Sequence, residues 1–426
     1  MPQIHPDVES FASIKVVGVG GSGGNAIDHM VACGIRGIDF IAVNTDAQDL
    51  HHSKAHLKIH IGKNITRGLG AGMDPEVGRR AAEENKDDLA KALEGADMVF
   101  VTCGLGGGTG TGASPIVADL AKSMGILTVA VVTKPFSFEG VQRAQIAREG
   151  LEELQSKVDT IITIPNDRLL NVIEKKTTFK QAFAVVDDVL RQAVQGISDL
   201  VTLPGIINVD FADVRAIMQD AGSALMGIGL ASGEERAINA AKGAISSPLL
   251  ELSIDGARGV LFNIAGTEDI TMAEVSQAAK IITDSIDPEA RVIFGVIEDE
   301  QMKKGDFKVT VIATGFDNAF AKQNRVKEVR EIFRARATLK PVSASASEPA
   351  ATPRIRSEIT AREDITEETT IGEIMRRDRE TQDKSPRMSR SAQDMGFEMS
   401  SREIADNEKA AQEEFDIPAF IRKKLK

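Results

Sequence analysis

Nine residues, Gly104-Leu105-Gly106-Gly107-Gly108-Thr109-Gly110-Thr111-Gly112, contain six glycines. Glycine loses more backbone freedom on folding than any other residue, so this density needs a reason. A tight turn uses one or two. The apolar run Met98–Cys103 precedes the loop and the amphipathic stretch Ser114–Met124 follows it, so it reads as a strand-to-helix connection. Such a loop is an anion site: backbone N–H groups point outward and the helix end adds partial positive charge. A second loop, Gly18-Val19-Gly20-Gly21-Ser22-Gly23, follows the apolar run Ile14–Gly20 and precedes a helix expected from about Asn25. Alone, its G-x-G-x-x-G pattern also suits a dinucleotide dehydrogenase, with Asp46 as the acidic partner after the second strand. Two such cradles on one rim suit a polyphosphate held between them. Gly68-Leu69-Gly70-Ala71-Gly72 is a third turn that could approach the terminal phosphate. No G-x-x-x-x-G-K-[ST] occurs, so backbone amides and a metal ion, not a lysine, are expected to hold the phosphates.

The surrounding chain alternates short apolar runs with amphipathic stretches. Ile14–Gly20, Ile38–Thr45, Met98–Cys103, Leu127–Thr133 and Thr160–Ile164 read as strands, and Pro75–Leu93 as helical. This predicts βαβ units and a mostly parallel sheet covered on both faces. In Thr177–Leu200, residues Phe179, Phe183, Val186, Leu190 and Val194 recur at three- and four-residue steps, predicting a long central helix. An α+β region follows, with strands at Gly259–Ala265, Arg291–Val296 and Lys308–Thr314 and helices at Ala212–Ala221, Glu234–Ile245 and Met272–Ser285. Residues 335–414 hold only nine Leu, Ile, Val or Phe, too little apolar area to offset chain entropy, so a disordered linker is expected. The last twelve residues, FDIPAFIRKKLK, regain an apolar face and read as a peptide that docks on a partner. The expected divisions are 1–176, 177–205, 206–318, 319–414 (a helical edge, then the linker) and 415–426.

The net charge of −12 argues against broad nucleic-acid binding, and the absence of Trp and Tyr removes most single-strand stacking platforms. Two cysteines, Cys33 and Cys103, make neither a disulfide framework nor a zinc site. Met1–Ser13 holds Pro, His, Asp and Glu where a secretion signal needs apolar residues, so an intracellular chain is expected. His51, His52, His56 and His60 invite a metal reading, but Leu57–Ile61 alternates like a strand and favours a surface hairpin. Asp210 and Asp213 are three apart, so both can face one way at a helix N-terminus, where carboxylates also serve as caps. Asp187, beside Asp188, reads on its own as a solvated helix carboxylate.

The loop GGGTGTG resembles the signature loop of the tubulin and FtsZ family. The bacterial FtsZ branch fits the rest: GVGGSGGNA at 18–26, AVNTDAQ at 42–48, GLGAGMDPEVG at 68–78, KPFSFEG at 134–140, TIPND at 163–167, NVDFADV at 208–214, GARGVLFNIAG at 256–266 and DIPAF at 416–420. Ser22 departs from the Gly or Ala usual in relatives. The resemblance implies an α/β, tubulin-like fold: a Rossmann-like GTPase domain, a central helix, a second α+β domain and a disordered tail. It implies a division GTPase that polymerises head-to-tail into a midcell ring, with GTP as substrate and Mg²⁺ as cofactor.

By the same resemblance, Gly21, Ser22, Gly23, Gly24, Asn25, Gly107, Gly108, Thr109 and Gly110 hold the phosphates, with Ala71 and Gly72 near the γ-phosphate and Asn44 and Asp46 lining the pocket. Glu139 and Arg143 resemble ribose contacts. Asn166 and Asp187 resemble guanine readers, with Phe183 stacking on the ring. Asn208, Asp210 and Asp213 would act on the GTP of the next protomer. No protein metal ligands are assigned. Asp416–Phe420 would dock on membrane tethers such as FtsA and, in some lineages, ZipA, and other division regulators are expected. Arg422, Lys423, Lys424 and Lys426 would add weak attraction to anionic lipid, so membrane contact is indirect, from the cytoplasmic side at midcell. The competing readings are an NAD-dependent oxidoreductase and a GTP-dependent scaffold that does not hydrolyse.

Overall fold

A computed structural model describes residues 12–316, apart from positions 171–172, 174–175, 204, 248–249, 251–252 and 300–301. The expected helical edge from 319, the linker and the docking peptide lie outside the described residues.

Among the described residues ten strands form one sheet: β1 (Ile14–Val19), β2 (Ile38–Asn44), β3 (Leu57–His60), β4 (Met98–Gly104), β5 (Leu127–Lys134), β6 (Thr160–Pro165), β7 (Gly222–Ser232), β8 (Gly259–Gly266), β9 (Arg291–Glu298) and β10 (Asp306–Thr314), in the order 3-2-1-4-5-6-7-10-8-9. The first six are parallel throughout. β7 pairs in parallel with β6 from Thr160–Gly222 to Ile162–Ala224, then antiparallel with β10 along most of its length. It therefore carries the sheet from the first half into the second, where β8 is antiparallel to β10 and parallel to β9.

Strands buried on both faces read as continuous apolar runs, and here the two faces feed different cores. Val16, Phe40, Phe100, Val129 and Val131 pack in one layer, and Val17, Ile41, Val101, Ala130 and Val132 in the other. The first layer continues through Val186, Leu190, Val194 and Ile197 of the central helix, Phe179–Thr202, into Ile217, Met226, Leu261 and Ile312 of the second half. One core thus joins both halves through that helix. Its start is fixed by a capping box: Gln181 N–H donates to Thr178 Oγ, and Thr178 N–H donates to Gln181 Oε1.

Four features differ from expectation. Pro75–Leu93 is two helices, Pro75–Glu84 and Lys86–Leu93, parted at Asn85, whose Oδ1 accepts from the distant Gly62 N–H at 2.9 Å. The histidine segment is a helix, Ala47–His52, crossing over to β3, which runs parallel to β2, so there is no hairpin. β7 escapes sequence reading because Gly227 and Gly229 stand where a helix, Arg236–Ile245, lies directly on the strand; a Cβ at either would collide with the carbonyl of Ala244 or Ala240. The helix Val141–Gln155 buries only Ala147, Gly150 and Leu154, too thin a stripe to announce itself.

Leu190 is fully buried in the shared core. Leu190→Ala is expected to cost about 2–5 kcal/mol, read as a lower urea midpoint by both a probe in the first half and a probe in the second.

Candidate functional site

In an open parallel sheet, ligands bind beyond the strand C-termini where strand order reverses. Here the order turns between β1 and β4, and both glycine loops leave from that point. The loops are shorter than expected. One helix starts at Gly20, not near Asn25, and runs to Ala32; the other starts at Thr109, not Ser114, and runs to Ser123. Neither N-terminus has a side-chain cap or an acidic residue in its first turn. By contrast, Asp46 caps Ala47–His52 and Asp74 caps Pro75–Glu84. The two glycine-loop helices therefore leave their first amides for an anion.

The glycines divide by what surrounds them. A Cβ at Gly23 would stand 2.5 Å from Thr102 O, one at Gly110 2.8 Å from Gly104 O, and one at Gly112 would strike Pro75 O. These let the two loops and their neighbours close on each other. Gly24 and Gly107 face open space, and Gly21 meets only Asp49 Oδ2 at 3.3 Å. Part of the glycine density is thus packing, and part is an open, amide-lined surface. Ser22 sits at the seam, its Oγ 2.7 Å from where a Gly104 Cβ would be.

The end of β2 forms one wall. Thr45 and Thr109 share a buried hydroxyl hydrogen bond of 2.6 Å, tying that strand to the signature loop. Asn44 Nδ2 donates to Asp49 Oδ2 at 2.7 Å, while its Oδ1 accepts from Asp46 N–H. Asp46 uses one carboxylate oxygen, Oδ1, to cap Gln48 and Asp49. The turn at 68–72 packs here through Ala47 N–H to Gly68 O and Gly70 N–H to Thr45 O. Ala71 is buried against Gly108, and Gly72 is exposed. A small cavity lined by Gly20, Gly24, Asn25, Asn44 and Asp49 opens between them. Asp49 was not among the expected residues; burial, then Asp46 and Asp28, push its carboxyl above the usual range. Its place after Asp46 in NTDAQD was the available signal.

The other wall follows β5 and β6. Glu139 pairs with Arg143 at 3.1 Å and accepts from Phe136 N–H at 2.8 Å. Arg143 Nε is buried and unpaired. Phe183 joins Phe136, Phe138 and Phe179 in an aromatic cluster, and Phe138 and Phe179 are exposed. Asn166, just past β6, is buried with Oδ1 unpartnered. The adjacent carboxylates on the central helix have different fates. Asp188 is desolvated, but hydrogen bonds from Arg191, Gln192 and His29 outweigh this and hold its carboxyl low. Among the described residues no hydrogen bond reaches Asp187, and burial pushes its carboxyl up to about 6, with His29 pulling weakly the other way. Asp187 is therefore not the freely solvated carboxylate that its sequence context suggested. His29 and Asp188 escaped the sequence reading because only the fold brings them together.

The acidic corner lies at the opposite rim. The central helix starts against Phe136 and Phe138, just beyond β5, and ends with Thr202 against Gly37, just before β2. Its 24 residues span about 36 Å. Beyond it, Ile207 pairs with Val296, Asn208 Oδ1 accepts from Gly205 N–H at 2.6 Å, and Val209 is buried. Asp210 and Asp213 are exposed at the start of the helix Phe211–Met218. Asp210 occupies the cap position but makes no cap hydrogen bond, so the capping reading fails. That helix is fastened to the strands' N-terminal rim: Arg215 donates to Gly125 O, before β5, and Thr160 Oγ1, at the start of β6, donates to Met218 O. Within one chain the acidic pair and the glycine loops thus face opposite ways.

Cys103 is a buried strand-end residue whose thiol burial pushes up to about 12. Among the described residues no cluster of three or more His, Cys, Asp or Glu could hold a metal, and no helix is long and apolar enough to cross a membrane. Residues 13–174 match the Tubulin/FtsZ family GTPase domain, and residues 222–317 match the FtsZ family C-terminal domain. An empty FtsZ dimer from M. jannaschii is 46% identical, with a TM-score of 0.69, over 72% of this chain and 89% of that one. A point-mutant FtsZ from the same organism is also 46% identical, with a TM-score of 0.70, over 72% and 92%. CetZ2 from Haloferax volcanii, a GTPγS-bound protofilament, shares the fold at 23% identity, with a TM-score of 0.63, over 76% and 100%. The crevice at the β1–β4 reversal thus lies within the matched GTPase domain, and the chain belongs to the FtsZ family of tubulin-like GTPases.

Proposed function

We propose that this GTPase polymerises head-to-tail into filaments that form the division ring, and that hydrolysis occurs at the junction between protomers. The observation that supports this is the separation of the amide-lined crevice and the acidic corner onto opposite rims of one sheet. Two surfaces that complement each other but lie at opposite ends make a heterologous contact that does not close, and so a filament.

The uncommitted amides of Gly21 and Ser22 and those of Gly107 to Gly110 receive the phosphates, with Gly23, Gly24 and Asn25 lining the same turn and Ala71 and Gly72 closing over the γ-phosphate. Glu139 and Arg143 meet the ribose. Phe183 flanks the base, and the orphaned Asn166 Oδ1 and the Asp187 carboxylate read its edge. A carboxylate accepts from guanine N1–H and N2–H₂ together, whereas adenine offers one donor on that edge. Mg²⁺ would enter with the triphosphate, with Asp46 beside it, and would help neutralise developing charge. The incoming protomer's Asp210 and Asp213 orient the attacking water and take up its proton as the γ-phosphoryl leaves the β-phosphate oxygen. Phosphoryl transfer is mostly positioning and charge stabilisation, so supplying the pair gates the reaction. Asn208, which closes the 205–208 turn, sets that loop's shape. Phosphate release then weakens the junction. At the other end of the chain, Asp416–Phe420 recruits membrane tethers of the FtsA or ZipA kind, which places the filament at midcell on the inner face of the cytoplasmic membrane.

Asp213→Ala is expected to bind GTP and assemble normally but to hydrolyse at least about a hundredfold more slowly. For the unaltered protein, specific GTPase rate plotted against concentration should show a threshold. A flat line would mean that each protomer is self-sufficient.

Guanine recognition carries its own pH signature. Asp187 ionises near 6 when free, and only the ionised form accepts both guanine donors. Binding favours the carboxylate, so affinity should be level above pH 6 and fall by up to about tenfold per pH unit below it. A fluorescent GDP analogue titrated from pH 8 to 5 measures this. Asp187→Asn should lose the pH dependence, bind GTP about tenfold or more weakly and prefer xanthosine nucleotides, whose C2 carbonyl matches the new amide donor.

A further inference from the structure

We propose that Lys122 is a positioning residue for hydrolysis, acting on the acidic corner of its own protomer and so on the GTP of the next; this rests on the shared-site reading above. Lys122 lies in the last turn of the helix Thr109–Ser123, whose first turn is the signature loop. Its ammonium has three hydrogens to donate, and three acceptors surround it: Val158 O at 3.1 Å, Asp220 Oδ1 at 2.9 Å and Asp159 Oδ1 at 3.2 Å. They belong to the segment that opens β6 and to the link between the acidic helix and β7.

Both carboxylates are placed to hold that link. Asp159 is buried; its Oδ2 accepts from Thr128 N–H of β5, and its carbonyl accepts from Gly222 N–H, the first residue of β7. Asp220 follows the acidic helix closely and has φ of +51°, a left-handed conformation costly for a residue with a Cβ. Arg67 is the other non-glycine residue with positive φ among the described residues. At Asp220 the strained conformation points the carboxylate at Lys122. Helix Phe211–Met218 is thus gripped at its C-terminal end by Lys122 through Asp220 and by Thr160 through Met218 O, while its N-terminal end presents Asp210 and Asp213. A pair that must orient water on another molecule has no contact there until assembly, so its aim is set by how its helix is seated. Among the described residues, the hydrogen-bond and ion-pair partners of Lys122 are Val158, Asp159 and Asp220, all at the rim away from the glycine loops.

The test separates aim from stability. Asp220→Gly removes the carboxylate and also relieves the strained φ, so a purely structural role predicts no loss. Lys122→Met removes the clamp from the other side, and Lys122→Arg keeps the charge and donors. The full chain is assayed for polymer by sedimentation, for turnover per polymerised protomer, for affinity toward a fluorescent GDP analogue before assembly, and for melting temperature. Turnover per polymerised protomer should fall about tenfold in Asp220→Gly and Lys122→Met, with nucleotide affinity, sedimented polymer and melting temperature unchanged, and Lys122→Arg should recover at least half. The proposal is overturned if Asp220→Gly turns over within twofold of the unaltered protein, if affinity drops together with turnover, or if polymer is lost. If Lys122→Met does not fold, Asp220→Gly, whose side chain is largely exposed, decides alone. Asp213→Ala run in parallel keeps the readings apart: full turnover there sinks the shared site itself, whereas slow Asp213→Ala beside fast Asp220→Gly sinks only the Lys122 assignment.

Discussion

Backbone amides left without a partner at two neighbouring helix ends are the constraint on which the site rests. Asp46, Asp74, Thr178 and Thr271 close the first turn of their helices with a side chain. Gly20–Ala32 and Thr109–Ser123 do not. The cost of leaving those N–H groups open is contained because Gly20, Gly23 and Gly110 let the two loops pack backbone against backbone, and Gly112 admits the backbone of Pro75 against them. An acidic protein can attract a highly charged anion at such a place because the local field comes from peptide dipoles, not from net charge.

The same sheet that aligns the two helix ends also dictates what lies at its other rim. Parallel strands put their C-termini together, so any loop fastened to the openings of β5 and β6 must face away from the phosphates. The central helix spans that distance and is packed into the core of both halves, so the two rims are held by one apolar interior. Buried contacts of this density transmit placement faithfully, because side chains in a close-packed interior have few alternative arrangements.

Much of this was legible before any coordinates. The strands β1, β2, β4, β5 and β6, the long helix and the glycine loops follow from runs and periods that tertiary contacts reinforce. The misreadings share a cause: a local signal overruled by a distant atom. Glycine reads as a helix breaker, yet Gly21 to Gly24 and Gly110 to Gly112 lie in helices, and at Gly23, Gly110 and Gly112 a neighbouring backbone leaves no room for a side chain. Asn85 looks like an ordinary helix residue until Gly62 claims its carbonyl. Asp187 and Asp188 are equivalent in sequence, and only His29 and Arg191, brought in by folding, tell them apart. Asp159 stayed hidden because burial, not spacing, distinguishes it.

If the amide-lined crevice and the acidic corner are two halves of one catalytic centre, their opposite facing gives any stack of these protomers a direction. If the acidic corner acts across the junction, the protomer at one extremity keeps its triphosphate uncovered and uncut, while the one at the other extremity offers carboxylates to nothing. A row of n subunits then holds n nucleotides but only n − 1 places where one can be spent. The smallest assemblies are the slowest per molecule, and the two tips are chemically different objects that can grow and shed subunits at unequal rates.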